Sequence, residues 1–224
     1  MLDRVLSVPL LIVVAPLIAV AGVWIRVDGG RPVLLGLPRS GRGGRVFRMW
    51  KLRTMRAAGP AGLAGGSTIT AAADGRVTRP GRWLRTTRLD ELPQVVNVLR
   101  GEMALIGPRP ETPDYVDPGA AAWAPVLAVV PAITGPSQLV LADWEASILV
   151  GDDHERRYAE DVLPVKLAID RWYVEHGGPV TDLLVVWGMV ERYVARRPTC
   201  AIERRVRREV PEAAGVPDRN SRAA

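Results

Sequence analysis

Apolar residues fill positions 5–25 almost without interruption, Ser7 being the only polar side chain among them. About 20 such residues cross a bilayer, so the run is long enough to enter one. Pro16 stands near its middle. A mid-helix proline removes a backbone hydrogen bond and clashes with the preceding turn, which predicts a kink after Ala15. Beyond the run the pattern shortens. Residues 32–35 and 45–52 carry short apolar or alternating segments around a glycine- and arginine-rich connection at 38–44, which predicts a β-hairpin. Residues 57–74 are rich in Ala, Gly and Thr without a sustained period and read as a loop. Residues 78–87 are basic, with Trp83 and Leu84 as apolar anchors.

Leu89, Leu92, Val95, Val96 and Leu99 then follow helical spacing. Asp90 fits the N-cap of that helix, Pro93 its first turn and Gly101 its stop. Residues 104–110 form a short apolar segment ending in Pro108-Arg109-Pro110. A helix is expected over 120–130 and a proline- and glycine-marked loop over 131–138. Two amphipathic helices, 156–175 and 180–194, are separated by Gly177-Gly178-Pro179. After Arg196 the chain is rich in Arg, Glu and Ala, which predicts partial helix that then frays. The sum is an α+β fold, mostly helical.

Charge narrows the partners. The 224 residues carry a net charge of +6, so an anionic partner is expected: nucleic acid, a phosphorylated substrate or an acidic membrane surface. Cys200 is the only cysteine, which excludes an internal disulfide, and with only His154 and His176 beside it a zinc site of soft ligands is not expected. A required metal would be a hard cation on carboxylates. The apolar run is flanked by Arg4 and by a block of arginines and Lys51 in which Asp28 is the only acid. Such a block resists export, so it counts against a secretory signal peptide and places the flank in the cytoplasm. A spanning helix and a re-entrant hairpin turning at Ala15-Pro16 both remain open on these residues.

The chemistry concentrates in residues 89–111, LDELPQVVNVLRGEMALIGPRPE. Asp90 and Glu91 suit a helix start for structural reasons alone, because the dipole favours carboxylates there. The same place suits a nucleophilic aspartate attacking phosphorus beside a carboxylate that holds Mg²⁺. Arg109, stiffened by its flanking prolines, loses less entropy when it forks onto phosphate oxygens. Lys51, Arg53, Arg79, Arg82, Arg85 and Arg88 could line a phosphate site or face anionic headgroups, with Arg85 and Arg88 nearest the acidic pair in sequence. Trp123, Trp144, Trp172, Tyr173 and Trp187 divide between core packing and a membrane interface.

These segments resemble the bacterial sugar transferases, the monotopic polyprenyl-phosphate phosphoglycosyl transferases. The resemblance rests on FRMWKLRTM (47–55), RVTRPGRWLRTTRLDELPQVVNVLRGEMALIGPRPE (76–111), PAITGPSQL (131–139) and IDRWYVE (169–175). It implies transfer of a sugar 1-phosphate from a UDP-sugar to a membrane polyprenyl phosphate such as undecaprenyl phosphate, with release of UMP, as the first step of glycan synthesis. It implies Mg²⁺ as cofactor and a covalent phospho-aspartate. Asp90 matches the nucleophile and Glu91 its partner, both placed to hold the metal. Arg85 and Arg109 match phosphate-handling residues, Lys51 and Arg53 match a Lys-x-Arg segment, and Arg88 adds a cation beside the dyad where a serine is usual. Residues 1–27 would be a re-entrant membrane helix broken at Ala15 and Pro16, residues 28–195 the catalytic domain on the cytoplasmic face of the bacterial inner membrane, with amphipathic helices at the interface, and residues 196–224 a basic, partly disordered tail. Membrane lipid is then a partner and nucleic acid is not, while a homodimer stays open. Ala15 replaces the serine usual before the membrane proline, Ala132 a usual glycine, and Ser137 a frequent aromatic. The rival is a non-catalytic basic membrane protein that binds anionic lipid or nucleic acid.

Overall fold

The computed structural model describes residues 2–28, 30–56, 75–149, 153–195, 197 and 199–217. The loop expected at 57–74 lies outside them. Among these residues the fold is mostly helical, with two small two-stranded sheets.

Helix α1, Leu2–Val27, runs on through Pro9 and Pro16, so a turn-back at Ala15-Pro16 is not seen. It is long and apolar enough to cross a membrane. One stripe of it is buried, made by Ser7, Val14, Ala21 and Ile25, whose spacings bring them onto one side. Both ends of α1 meet the rest of the chain. Ala21 and Ile25 pack with Leu52 and Leu84. At the other end the Arg4 guanidinium lies over Gly101, where a β-carbon would overlap it. The remaining apolar surface of α1, including Val5, Ile12, Val13, Val20 and Val23, is exposed.

Strands β1 (Leu34–Ser40) and β2 (Val46–Leu52) form the expected antiparallel hairpin, with Leu34 opposite Leu52 and Ser40 opposite Val46. The first strand extends through Pro38, Arg39 and Ser40, which the sequence assigned to the connection. Ser40 sends its N–H outward to the Glu111 carbonyl at 2.8 Å. Pro38, two residues earlier, faces the same outward side, where its missing N–H costs no ladder bond. The turn is made instead by residues 41–45, where Gly43 and Gly44 take positive φ of 67° and 74°.

Helix α2 is Arg79–Thr87, and the next segment departs from expectation. Leu89–Gln94 winds as a 3-10 helix before α3, Val95–Arg100. Pro93 lacks the N–H that would close the first α-helical turn, so that turn tightens. Asp90 therefore sits inside the turn and not at an N-cap; the preceding cap position is Arg88, in a left-handed conformation with φ 60°. Gly101 ends α3 as expected, with φ 76°.

Strands β3 (Ala104–Ile106) and β4 (Ala132–Thr134) pair in parallel on either side of α4, Ala124–Ala128. Part of the loop expected at 131–138 is thus β4, and the rest opens α5, Pro136–Ile148. Three-residue strands are too short to show a period, and PAITGP carries turn signals. Gly135 lets its backbone approach Gly107 closely; a β-carbon would overlap the Gly107 carbonyl.

The expected helix over 156–175 appears as α6 (His154–Arg157), a π-helical turn (Tyr158–Val162) and α7 (Leu163–His176). Pro164, one turn later, removes the bond that would keep this stretch regular. Helix α8, Pro179–Met189, likewise passes into a π turn at Val190–Val194. The tail forms the helix that was expected, α9 (Ala201–Glu209) and α10 (Pro211–Ala214). Its burial was not expected. Ile202, Val206, Val210 and Ala213 complete a core with Leu139, Val162, Ile169 and Val185. Trp123 and Trp172 are buried, whereas Trp187 is exposed.

Candidate active site

A cavity of about 720 Å³ draws its lining from β2, α2, the 3-10 turn, the Pro-Arg-Pro turn, α5 and α7. Strand β2 brings Lys51. Buried Asn97 holds that strand against α3: its Oδ1 accepts from the Trp50 N–H at 3.0 Å, and its Nδ2 donates to the Arg48 carbonyl at 2.8 Å. Lys51 Nζ then stands 2.9 Å from Asp90 Oδ2 and 3.7 Å from Glu91 Oε1.

The two carboxylates of the dyad are held differently. Glu91 Oε1 accepts from Arg109 Nη2 at 2.7 Å and from Arg88 Nη1 at 3.0 Å. Burial alone would push its carboxyl up, but Arg109, Arg88 and Lys51 outweigh burial and hold it down at about 2. Burial likewise works against the Arg88 charge, and Glu91 and Tyr193 more than offset it, so Arg88 is raised. Asp90 is 1% exposed, yet neither carboxylate oxygen has a hydrogen-bond partner. Lys51 is close to Oδ2 but off the hydrogen-bond direction, so that contact is electrostatic. A buried carboxylate without donors is costly, and its position at the cavity is where a ligand would relieve it.

Arg109 is fixed from behind. Its Nη1 donates to the Ile133 carbonyl at 2.7 Å, and its own carbonyl accepts from Lys166 Nζ at 3.2 Å. Lys166 also pairs with Glu111 at 3.0 Å and faces Asp170 at 3.5 Å. Tyr158 donates to Glu111 at 2.5 Å and Ser137 to Asp170 at 2.8 Å. Burial works against the Lys166 charge, and the two carboxylates more than offset it, raising its pKa. Burial also opposes the Glu111 charge, but Lys166, Tyr158 and the Thr112 N–H leave that carboxyl lowered. Burial prevails at Asp170, which is raised despite Lys166.

Of the residues singled out from sequence, Lys51, Arg85, Arg88, Asp90, Glu91 and Arg109 all line this cavity. Arg85 is oriented by donating to Thr54 Oγ1 at 2.9 Å. Arg53 does not line it. The strand ends at Leu52, and the buried Arg53 side chain turns the other way to donate to the Pro32 carbonyl at 2.8 Å. Sequence reasoning passed over Asn97, Glu111, Lys166 and Asp170. A signal existed for three of them: Asn97 interrupts an apolar helical stripe, and Lys166 and Asp170 are charges four apart on the inner face of α7.

A family model described as bacterial sugar transferase matches residues 1–196. The chain belongs to the bacterial sugar transferase family. Among the relatives of this family member, an undecaprenyl-phosphate glucose phosphotransferase of Komagataeibacter xylinus is 44% identical over 111 residues, half of this chain and 20% of that protein. A UDP-glucose:undecaprenyl-phosphate glucose-1-phosphate transferase of Caulobacter vibrioides is 38% identical over 143 residues, 62% of this chain and 52% of that protein. A UDP-N-acetylgalactosamine-undecaprenyl-phosphate N-acetylgalactosaminephosphotransferase of Aeromonas hydrophila is 37% identical over 142 residues, 56% of this chain and 32% of that protein. The chain thus spans between a fifth and about half of the length of these three relatives.

The donor set of this family member can be tested for Mg²⁺. Among the described residues no group of three or more His, Cys, Asp or Glu side chains converges as a metal cage. Mg²⁺ seldom uses one; it takes one or two carboxylates, keeps water and draws its other ligands from substrate phosphates. Asp90, which accepts no hydrogen bond among the described residues and has only Lys51 beside Oδ2, fits that requirement. Glu91 Oε1 is already taken by two arginines, which leaves it the lesser ligand.

Proposed function

We propose that this protein is a phosphoglycosyl transferase, moving a sugar 1-phosphate from a UDP-sugar to a polyprenyl phosphate in the membrane. The observation that carries this reading is the contrast within the dyad: Asp90 is buried with no hydrogen bond among the described residues and only the Lys51 ion pair beside Oδ2, while Glu91 is anchored by Arg88 and Arg109. The free carboxylate is the nucleophile, and the anchored one fixes the cations that receive phosphate charge. An Asp90 oxygen bonds to the sugar-bearing phosphorus as the bond from that phosphorus to UMP breaks. Lys51, Arg88 and Arg109 offset the charge of the attacking anion and of the departing UMP. Bound Mg²⁺ would supply further neutralisation of the diphosphate. A phosphate oxygen of the polyprenyl carrier then displaces Asp90, giving a polyprenyl diphosphate sugar and the free carboxylate. This would start synthesis of a polysaccharide or other glycoconjugate.

A membrane setting is supported by α1 and α8. The exposed apolar face of α1 continues into Trp24, which lies against Trp83 with ring centroids 5.7 Å apart. On α8 and its π turn, Val180, Leu183, Trp187, Val190 and Val194 form an exposed apolar stripe. We infer that α1 lies within one leaflet with both of its ends on the same side, because Arg4 and Ile25 touch the same globular unit. The basic flank favours the cytoplasmic side of the inner membrane for both ends.

The test is UMP release by detergent-solubilised protein given Mg²⁺, polyprenyl phosphate and either UDP-glucose or UDP-N-acetylgalactosamine. Wild type should release UMP and trap labelled sugar phosphate on Asp90, and Asp90→Asn should lose at least about 10³-fold in rate. Full activity in Asp90→Asn removes the covalent step. No release with any UDP-sugar would favour the lipid-binding reading.

A further inference from the structure

One side of α5 forms a wall of the cavity, and most of that wall is apolar or already bonded. Leu141, Ala142, Ala146 and Leu149 are apolar, and Ser137 is engaged with Asp170. Glu145 is the exception. It lies partly exposed among these residues, and among the described residues its side chain has no hydrogen bond or ion pair. It lines the same cavity as Lys166, Glu111, Arg88 and Arg109 and feels their charges. Burial, with Glu111 adding to it and the cations opposing, leaves its carboxyl raised, as fits an acid that lacks donors.

Three ligand chemistries could answer an unpartnered carboxylate. A phosphate would be repelled. A divalent cation needs several oxygens, but the other α5 carboxylate at the cavity, Asp143, is held by Arg192 at 2.7 Å, and the positions one turn from Glu145 (Leu141, Ala142, Ile148 and Leu149) are aliphatic. Hydroxyl groups fit, since a carboxylate has acceptor sites for two donors side by side. A nucleotide sugar carries adjacent hydroxyls on its ribose and on its hexose. Its diphosphate would lie on Lys51, Arg88 and Arg109, so one of its hydroxyl-bearing ends must reach along the α5 wall.

We propose that Glu145 is a donor-recognition residue, accepting hydrogen bonds from a vicinal diol of the nucleotide sugar. This rests on the nucleotide-sugar reading of the site. The shared chemistry is the diol, and ligand choice separates its two sources. Binding would be measured calorimetrically in the Asp90→Asn background, with Mg²⁺, for UDP and for UDP-glucose, alone and with Glu145→Gln or Glu145→Ala. Glu145→Ala should weaken UDP-glucose roughly ten- to hundredfold, the range for hydrogen bonds to a charged group, and Glu145→Gln by less. A matching loss for UDP assigns the ribose; unchanged UDP binding assigns the hexose. Either result supports the proposal. Unaltered affinity for both ligands in the near-isosteric Glu145→Gln and in Glu145→Ala overturns it. So does an altered Mg²⁺ requirement at unaltered donor affinity. If the parent protein binds no UDP-sugar, the site reading falls and this proposal with it; if the parent binds and the variants match it, only this proposal falls.

Discussion

At the scale of residues, the buried ionic network behind Arg109 makes a pH prediction with a definite sign. Glu111 is lowered from its ordinary value of 4.5, so it adds stability that is complete above that value. As pH falls below about 4.5 and then through its folded value, that stability is lost. Asp170, which is raised, works in the opposite sense: protonating it on acidification is easier in the folded protein than in the unfolded chain. Comparing wild type with Glu111→Gln isolates the first effect. Thermal melts from pH 7 to pH 3 should show wild type ahead at neutral pH and the gap closing in acid. A gap that stays constant would mean that Glu111 is not the titrating group. Lys166→Met leaves Glu111 without its cation and should cost about 3–5 kcal/mol in unfolding free energy, with Arg109-dependent turnover falling as well. The acidic pair and Arg109 were legible in the sequence because they cluster within about twenty residues. Lys166 and Asp170 showed only their four-residue spacing, since their partners lie far along the chain and periodicity says nothing about which polar residue on an inner face finds which.

At the scale of elements, the hairpin and the helical turn after it act as two jaws joined by Asn97. Asn97→Leu keeps the branched shape but strands the Trp50 N–H and the Arg48 carbonyl. A loss of about 1–3 kcal/mol is expected for each group left buried and unpaired. Turnover should fall more than UDP-sugar binding, because Lys51 would shift from Asp90; equal losses in both would point to unfolding. The long helices were legible from spacing alone, and so was the hairpin. The 3-10 turn was not. Helical spacing of Leu89, Leu92 and Val95 is compatible with either winding, and the decision falls to Pro93 and to the left-handed Arg88. That winding corrects the view of Asp90 as a cap: among the described residues its side chain caps no backbone group, which leaves its oxygens to Lys51 and the cavity.

At the scale of the whole molecule, the C-terminal helices lie beyond the family match, which ends at residue 196, yet they close the main core. Val206→Asp should therefore destabilise the catalytic unit by several kcal/mol, as burial of an unpaired charge does, and lower its melting temperature sharply. A soluble, fully active truncation ending at residue 199 would contradict this. The tail read as basic and fraying because its arginines outnumber its isoleucine and valines, while three of those, Ile202, Val206 and Val210, recur every four residues on one buried side.

Both ends of α1 rest on the same globular unit, Arg4 over Gly101 and Ile25 on Leu52 and Leu84. On the membrane orientation proposed above, this makes the anchor a keel and not a tether. The depth of Asp90 relative to the headgroups becomes a constant of the fold, with no linker length to vary it. A lipid-borne acceptor then needs to search only in the plane of the leaflet, and it meets the carboxylate at a fixed height each time it arrives.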